Sequence, residues 1–274
     1  VSAPVEQVRQ YYDHNTSSFL KTGEGGASIR RAVWAPGVEQ RSDAFRTIDR
    51  RILEHIAPGA KVVDLGCGVG SSLLWLSERA QFEGLGVTLS GVQARFFTEE
   101  IARRGLQARL RCFEGSFVSP PAEVKDVNLA FAIEAFVHSP SPEAFLSAAA
   151  ERLVPGGQLI VLDDFLEREP TTAAERRTVD DIRTGWLANT LVLPSEVEAK
   201  ARAVGLELVQ NEDWTSWLEL GRPRDRLLSV VAFLGRPLRH RSWLFRSWVG
   251  GVALQRALSD RLVCHRLLRF EKRG

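Results

Sequence analysis

Between Lys61 and Leu166 five short apolar runs, KVVDLG, FEGLGVTL, ARLRCFEG, DVNLAFAIEA and QLIVLDDF, are interleaved with the helical segments SSLLWLSERA, GVQARFFTEEIARRG and SPEAFLSAAAERLVPGG. No other feature narrows the fold as far. Near-continuous apolar runs belong to strands buried on both faces, and the helices between them cover a parallel sheet on both sides. LELVQNEDWTSWLEL and DRLVCHRLLRFEKR read as two further strands. The expectation is an α/β fold with a doubly wound, mostly parallel seven-stranded sheet, whose ligands sit outside the carboxyl ends of the strands. Helical pieces at Val5–Tyr12 and Glu39–Ile56 precede it, flanking the loop KTGEGGASIRRAVWAPG. After the fifth strand come a helical insertion over Thr172–Asn189, the helix SEVEAKARAVG, and two helices near Arg224–Gly235 and Ser242–Leu258.

With 274 residues, 44% of them hydrophobic, the chain can build one sizeable core. No uncharged apolar stretch reaches the ~18 residues of a membrane span, and the first residues carry no signal-peptide pattern. Cys67, Cys112 and Cys264 are odd in number and widely spaced, which argues against a disulfide framework and against a zinc site. A reducing cytoplasm is the expected setting. The net charge of +2 hides an asymmetry: Arg222–Gly274 holds 13 basic residues against 3 acidic ones. The aromatics there lie among Leu and Val, as in packed helices, and no nucleic-acid motif accompanies them. The arginines therefore read as solvated faces, and no nucleic-acid partner is expected.

The run VVDLGCGVG, Val62 to Gly70, ends the first strand in glycines at every second position. Such a loop lets backbone approach a ligand closely, and the next helix points its N-terminal amides at the same place. A phosphate-binding Walker loop needs a lysine after the last glycine; here Ser71 and Ser72 follow. A dinucleotide fingerprint needs G-x-G-x-x-G and an acid after the second strand; here Ser71 stands at the third glycine and the strand ends in Thr88.

D-x-G-x-G-x-G after the first strand, followed by GVTLSGVQ after the second, resembles the class I S-adenosylmethionine-dependent methyltransferases. GVTLS-x-x-Q is similar to the branch that holds sterol and tocopherol methyltransferases and cyclopropane fatty acid synthases. YYDHNTSSFL resembles that branch's lid segment, EGSF its adenine-contacting turn, and AFAIEAFVHSP its substrate-facing loop. The resemblance implies S-adenosyl-L-methionine as cofactor and S-adenosyl-L-homocysteine as product. It implies a helical lid over residues 1–58 and a cofactor-binding core over 59–274, capped by helices around 170–190 and 222–258. By the same resemblance Gly66, Cys67 and Gly68 receive the amino-acid end of the cofactor, and Asp64 braces the loop by accepting its amides. Thr88, Leu89 and Gln93 flank the ribose, Gln93 in place of the usual acid. Gly115, Ser116 and Phe117 bracket the adenine, Ile133 borders the cofactor, and Tyr11 and Tyr12 close over it.

Methyl transfer from a sulfonium needs alignment and dryness, plus a base where the acceptor must lose a proton. AIEAFVHSP offers Glu134 and His138 near the reactive methyl. In sterol and prenyl-diphosphate C-methyltransferases a similarly placed glutamate faces the substrate, and the resemblance thus implies Glu134 as the base, with His138 as the second candidate. Cyclopropane synthases carry an acid just before the histidine; Val137 stands there, which argues against cyclopropanation. Trp34, Phe136, Phe165 and Trp186 are the candidate walls of an aromatic acceptor pocket, whose faces would steady a cation. The function expected is methylation of a small, largely apolar metabolite, at carbon of an isoprenoid or prenylated compound of secondary metabolism. O- or N-methylation of a polyketide or alkaloid is the alternative, and a cofactor-binding cyclase-like or non-catalytic homologue is a third. No metal is implied. The small-molecule acceptor stays unnamed, its phosphorylation is open given Arg30, Arg31 and the C-terminal arginines, and so is assembly as a homo-oligomer.

Overall fold

The computed structural model describes residues 5–22, 30–221 and 243–274. Helix α1 spans Val5–Thr22; the short α2 (Arg41–Ala44) and α3 (Thr47–Leu53) follow where one longer helix was expected. Then come β1 (Lys61–Leu65), α4 (Ser71–Ser77), β2 (Glu83–Thr88), α5 (Gly91–Arg103), β3 (Leu110–Glu114) and β4 (Val127–Ile133). The chain continues through α6 (Pro142–Arg152), β5 (Leu153–Leu166), α7 (Ala173–Gly185), α8 (Pro194–Ala203), β6 (Leu206–Asp213), α9 (Trp243–Ser259) and β7 (Val263–Lys272). The seven strands form one sheet in the order β3-β2-β1-β4-β5-β7-β6. β1 to β5 pair in parallel, and β7 runs antiparallel between β5 and β6. This is the doubly wound α/β sheet of seven strands, mostly parallel as expected. The helix expected at Arg224–Gly235 lies outside the described residues.

Successive strand side chains point to opposite faces, and both faces are buried. Ala130, Ala132, Leu159 and Val161 join one core cluster, while Leu129, Phe131, Ile160 and Leu162 join another. That is why the central strands read as unbroken apolar runs. α3 presses Ile48 and Ile52 into the second cluster. A third cluster joins Val137 and Leu166 to Val179 and Ile182 of α7 and to Leu254 and Ala257 of α9. α7 and α9 cross at two glycines: a Cβ on Gly185 would lie 2.8 Å from the Gly250 Cα.

Two elements end earlier than their sequences suggest. β6 stops at Asp213 because Trp214 turns into the core at 1% exposure, and the Asp213 carboxylate takes the Thr215 amide at 2.9 Å. The chain then makes a 3₁₀ turn, Thr215–Trp217, and Leu218 bridges to Val33. α7 was expected to reach Asn189, but Leu187 adopts φ 55° and turns the chain. That turn aims the Leu187 carbonyl at the loop after β4.

Candidate active site

The site forms where β1 and β4 leave the sheet side by side. The Gly66 and Cys67 amides both reach the Val87 carbonyl, at 2.9 and 3.0 Å, and the Gly70 amide reaches the Cys67 carbonyl. Backbone therefore braces the loop, which corrects the expectation that Asp64 does so; the Asp64 carboxylate lines the cavity instead. Gly66 (φ 105°) admits no side chain, because a Cβ there would lie 2.5 Å from the Ala135 Cβ. That contact seats the loop after β4 directly on the glycine loop. Gly70 (φ 77°) serves packing, since a Cβ would enter the Phe97 ring.

A cleft opens here, bounded by Asp64, Gly66, Cys67, Gly68 and Ile133, with Arg30, Val69, Ser71 and Ser72 completing the wall. The expected Asp64, Gly66, Cys67, Gly68 and Ile133 thus meet around one space. Arg30 was not anticipated as part of this wall. It is nearly buried, paired with both oxygens of Asp49, and donates to the Ser72 hydroxyl at 2.9 Å. Its position follows from α3, which places the fully buried Asp49 beneath the cleft. Burial pushes the Asp64 carboxyl well above its ordinary range, although Arg30 pulls the other way. A buried carboxyl with no ion pair among the described residues fits an ammonium-bearing ligand such as the amino-acid end of S-adenosylmethionine.

The adjoining predicted residues assemble around the end of β2. The Thr88 hydroxyl donates to Gln93 Oε1 at 2.7 Å, and a Cβ on Gly68 would lie 3.9 Å from the Gln93 amide. The Gly115 amide binds the Thr88 carbonyl, and the Ser116 hydroxyl accepts the Val118 amide. Leu89 sits half-buried beside them. Phe117 packs edge-on against Phe145 in the core, and one ring edge comes within 4.0 Å of the Cβ position on Gly66.

The loop after β4 carries Glu134 and His138, the two residues expected beside the acceptor. Glu134 is held at φ 51°, and the Leu162 carbonyl takes its amide. Its Oε1 accepts two donors from one residue, the Arg31 amide and Arg31 Nε, both at 3.2 Å. Arg31 Nη2 continues to Asp164 Oδ2 at 2.7 Å. His138 Nδ1 lies 3.1 Å from the Leu187 carbonyl, and Nε2 lies 3.0 Å from the Tyr12 hydroxyl. A carbonyl only accepts, so Nδ1 carries the proton and the Tyr12 hydroxyl donates to Nε2. Burial holds His138 below the ordinary histidine range, hence neutral. Burial likewise pushes the Tyr11 hydroxyl up to about 12 and the Tyr12 hydroxyl further up. Tyr12, expected over the cofactor, thus reaches the loop after β4 through His138, and Tyr11 packs edge-on against it.

The expected aromatic walls divide differently. Phe136 and Phe165 are fully buried in the sheet core, where Phe136 packs edge-on against Phe145 and tilted against Phe165, so they are core residues. Trp186 packs over Gly251 of α9, and Trp34 packs with Ala32, Ala44 and Phe45. Neither reaches the cleft wall. Among the described residues no helix is long and apolar enough to cross a membrane.

Residues 62–157 match the family described as "Methyltransferase domain". Over 232 residues the chain is 25% identical to the 24-methylenesterol C-methyltransferase 2 of Arabidopsis thaliana, covering 79% of this chain and 64% of that relative. The chain thus spans a little under two thirds of that relative's length. Among solved structures, a mycolic acid cyclopropane synthase complexed with S-adenosylhomocysteine superposes with a TM-score of 0.78 at 18% identity, covering 99% of both chains. A [4+2]-cyclase superposes with a TM-score of 0.76 at 20% identity, covering 100% of this chain and 97% of the cyclase. The glycine loop after β1, the carboxyl-bearing cleft and the matched region show a methyltransferase domain over residues 62–157, built on the fold of the class I S-adenosylmethionine-dependent methyltransferases, in a chain similar in sequence to sterol C-methyltransferases.

Proposed function

We propose that the chain methylates carbon of a small, largely apolar, uncharged acceptor of isoprenoid type, with Glu134 taking the proton that carbon methylation leaves behind. The observation that carries this is the state of the Glu134 carboxylate. Both Arg31 donors fall on Oε1, and no hydrogen bond from the described residues reaches Oε2. One oxygen anchors the side chain and the other remains to accept a proton.

Bound S-adenosylmethionine supplies an activated methyl group on a sulfonium. The chain's residues do the rest. Gly66, Gly68 and Asp64 receive the amino-acid end, and Gln93 with Thr88 holds the ribose side. Tyr12, donating to His138, closes α1 against the acceptor loop and keeps water out. Glu134, following Ile133 of the cleft wall, stands where a cationic acceptor intermediate would form, and its charge steadies it.

Two further observations support an uncharged acceptor. Arg30 is committed to Asp49, and Arg31 to Glu134 and Asp164. Neither offers an unopposed positive charge to a phosphate, so the acceptor we infer carries none at this site. The neutral His138 favours a second reading, O- or N-methylation with Nε2 as base once Tyr12 withdraws.

A labelled-methyl assay across prenyl alcohols, sterol-like alkenes, prenyl diphosphates and polyketides, with product NMR, tests the proposal. Glu134→Gln is expected to lower turnover by about 10²-fold, the scale of a lost general base, with S-adenosylhomocysteine affinity within about twofold by calorimetry. Near-normal turnover of Glu134→Gln beside an inactive His138→Ala would reverse the two roles. Product without S-adenosylhomocysteine would point to the cyclase-like alternative.

A further inference from the structure

The end of β5 carries two adjacent acids, Asp163 and Asp164, both buried to 2% exposure or less. Neither belongs to the cleft wall. Asp163 Oδ2 accepts the Val137 amide at 3.0 Å, so it holds the 3₁₀ turn that carries His138. Asp164 works on the other candidate. Its Oδ2 accepts Arg31 Nη2 at 2.7 Å, and its Oδ1 accepts His265 Nδ1 at 2.9 Å. His265 is its cross-strand partner on β7 and is fully buried. A continuous chain therefore runs from His265 through Asp164 and Arg31 to Oε1 of Glu134.

The form of this chain argues for more than stability. Arg31 Nη1 and His265 Nε2 are both buried without a hydrogen-bond partner among the described residues. Buried polar groups are ordinarily satisfied, and a network kept only for stability would satisfy them. Burial pushes the Asp164 carboxyl up, but Arg31 and His265 outweigh it and hold it at about 2. It is therefore a fixed negative charge at neutral pH. An arginine facing Glu134 alone could swing its long side chain into other rotamers.

We propose that Asp164, backed by His265, is a positioning residue for methyl transfer: it fixes the Arg31 guanidinium so that Nε and the backbone amide converge on Oε1 of Glu134, leaving Oε2 for the acceptor proton. This rests on the reading of Glu134 as the base.

The test is a double-mutant cycle on turnover, with S-adenosylhomocysteine affinity and acceptor KM measured alongside. Asp164→Asn is expected to lower kcat by about tenfold or more, with KM and cofactor Kd within about twofold. In the Glu134→Gln background the same change is expected to cost less than about twofold, because the oriented group is already gone. If Asp164→Asn does not fold, Arg31→Lys replaces it: an ammonium cannot span both carboxylates as the guanidinium fork does, and the same non-additive loss is expected. Losses that multiply with Glu134→Gln, or a fully active Asp164→Asn beside an inactive Glu134→Gln, would overturn the positioning role alone. A fully active Glu134→Gln would overturn the reading of Glu134 and this inference with it.

Discussion

Residue Glu134 shows how backbone and side chain combine at this site. A non-glycine residue at φ 51° is uncommon, and here it turns the carboxylate toward Arg31 as the chain leaves β4. Its neighbour His138 is held by a carbonyl on one nitrogen and a hydroxyl on the other, and burial keeps it neutral. This has a measurable consequence. The unfolded chain protonates this histidine near its ordinary value of 6.5, while the folded chain does so only at lower pH. Stability is then complete above 6.5 and falls as pH drops from 6.5 toward the lowered folded value, because the unfolded state binds the extra proton. Melting temperatures at pH 7.5 and 5.5 should differ less in His138→Gln than in the parent chain. An unchanged difference would show that His138 titrates as freely folded as unfolded. His55, also lowered by partial burial, accounts for a residual slope.

At the scale of elements, α1 is tied down at two places. Tyr12 reaches His138 after β4, and Asp13 accepts the Ser90 hydroxyl at 2.6 Å at the start of α5. An acid at that position also suits the helix N-terminus, while the Ser90 hydroxyl caps the Gln93 amide. We therefore propose α1 as a lid that joins the cofactor side to the acceptor side. Removing residues 1–20 should cut turnover at least tenfold while the melting temperature falls by only a few degrees, because the sheet core does not depend on it. Full activity of the truncated chain would exclude a lid. The pair α7 and α9 differs, since the two helices touch at Gly185 and Gly250 with no room for a side chain. Gly250→Val is expected to destabilise by roughly 1–3 kcal/mol, the usual cost of overpacking, read by urea unfolding.

For the whole molecule, the N-terminal segment and the sheet share their cores. Ile48 and Ile52 of α3 pack with Leu129 and Phe131, and Asp49 between them holds Arg30 and Arg46 from below the cleft. Asp49 is fully buried, and although burial raises its carboxyl, the two arginines outweigh this and keep it below the ordinary range. Asp49→Ala would leave Arg30 buried and uncompensated in the cleft wall. It is expected to lose about 3–5 kcal/mol of stability, the scale of a broken buried pair, and to weaken S-adenosylhomocysteine binding in calorimetry. Unchanged affinity in a folded variant would separate this ion pair from the cofactor site.

How much of this was legible beforehand depends on the range of the interactions. Strand identity is local: KVVDLG, DVNLAFAIEA and QLIVLDDF are apolar on both faces, and both faces are buried. The glycine loop is local too, because Gly66 and Gly70 need backbone conformations that side chains disfavour. These features made the sheet, the loop and five cleft-lining residues readable from the chain alone. Residues such as Phe136 and Phe165 were misjudged as pocket walls because an aromatic beside a motif looks the same whether it faces a ligand or Phe145. The pairing of Arg31 with Glu134 and Asp164 spans 103 and 133 positions, and the His265–Asp164 contact depends on the β5–β7 register. No spacing rule reaches across such distances. Local propensity and periodicity thus determined the sheet and the loop that opens the cleft, whereas the partners of its buried charges were decided only when distant strands met in register.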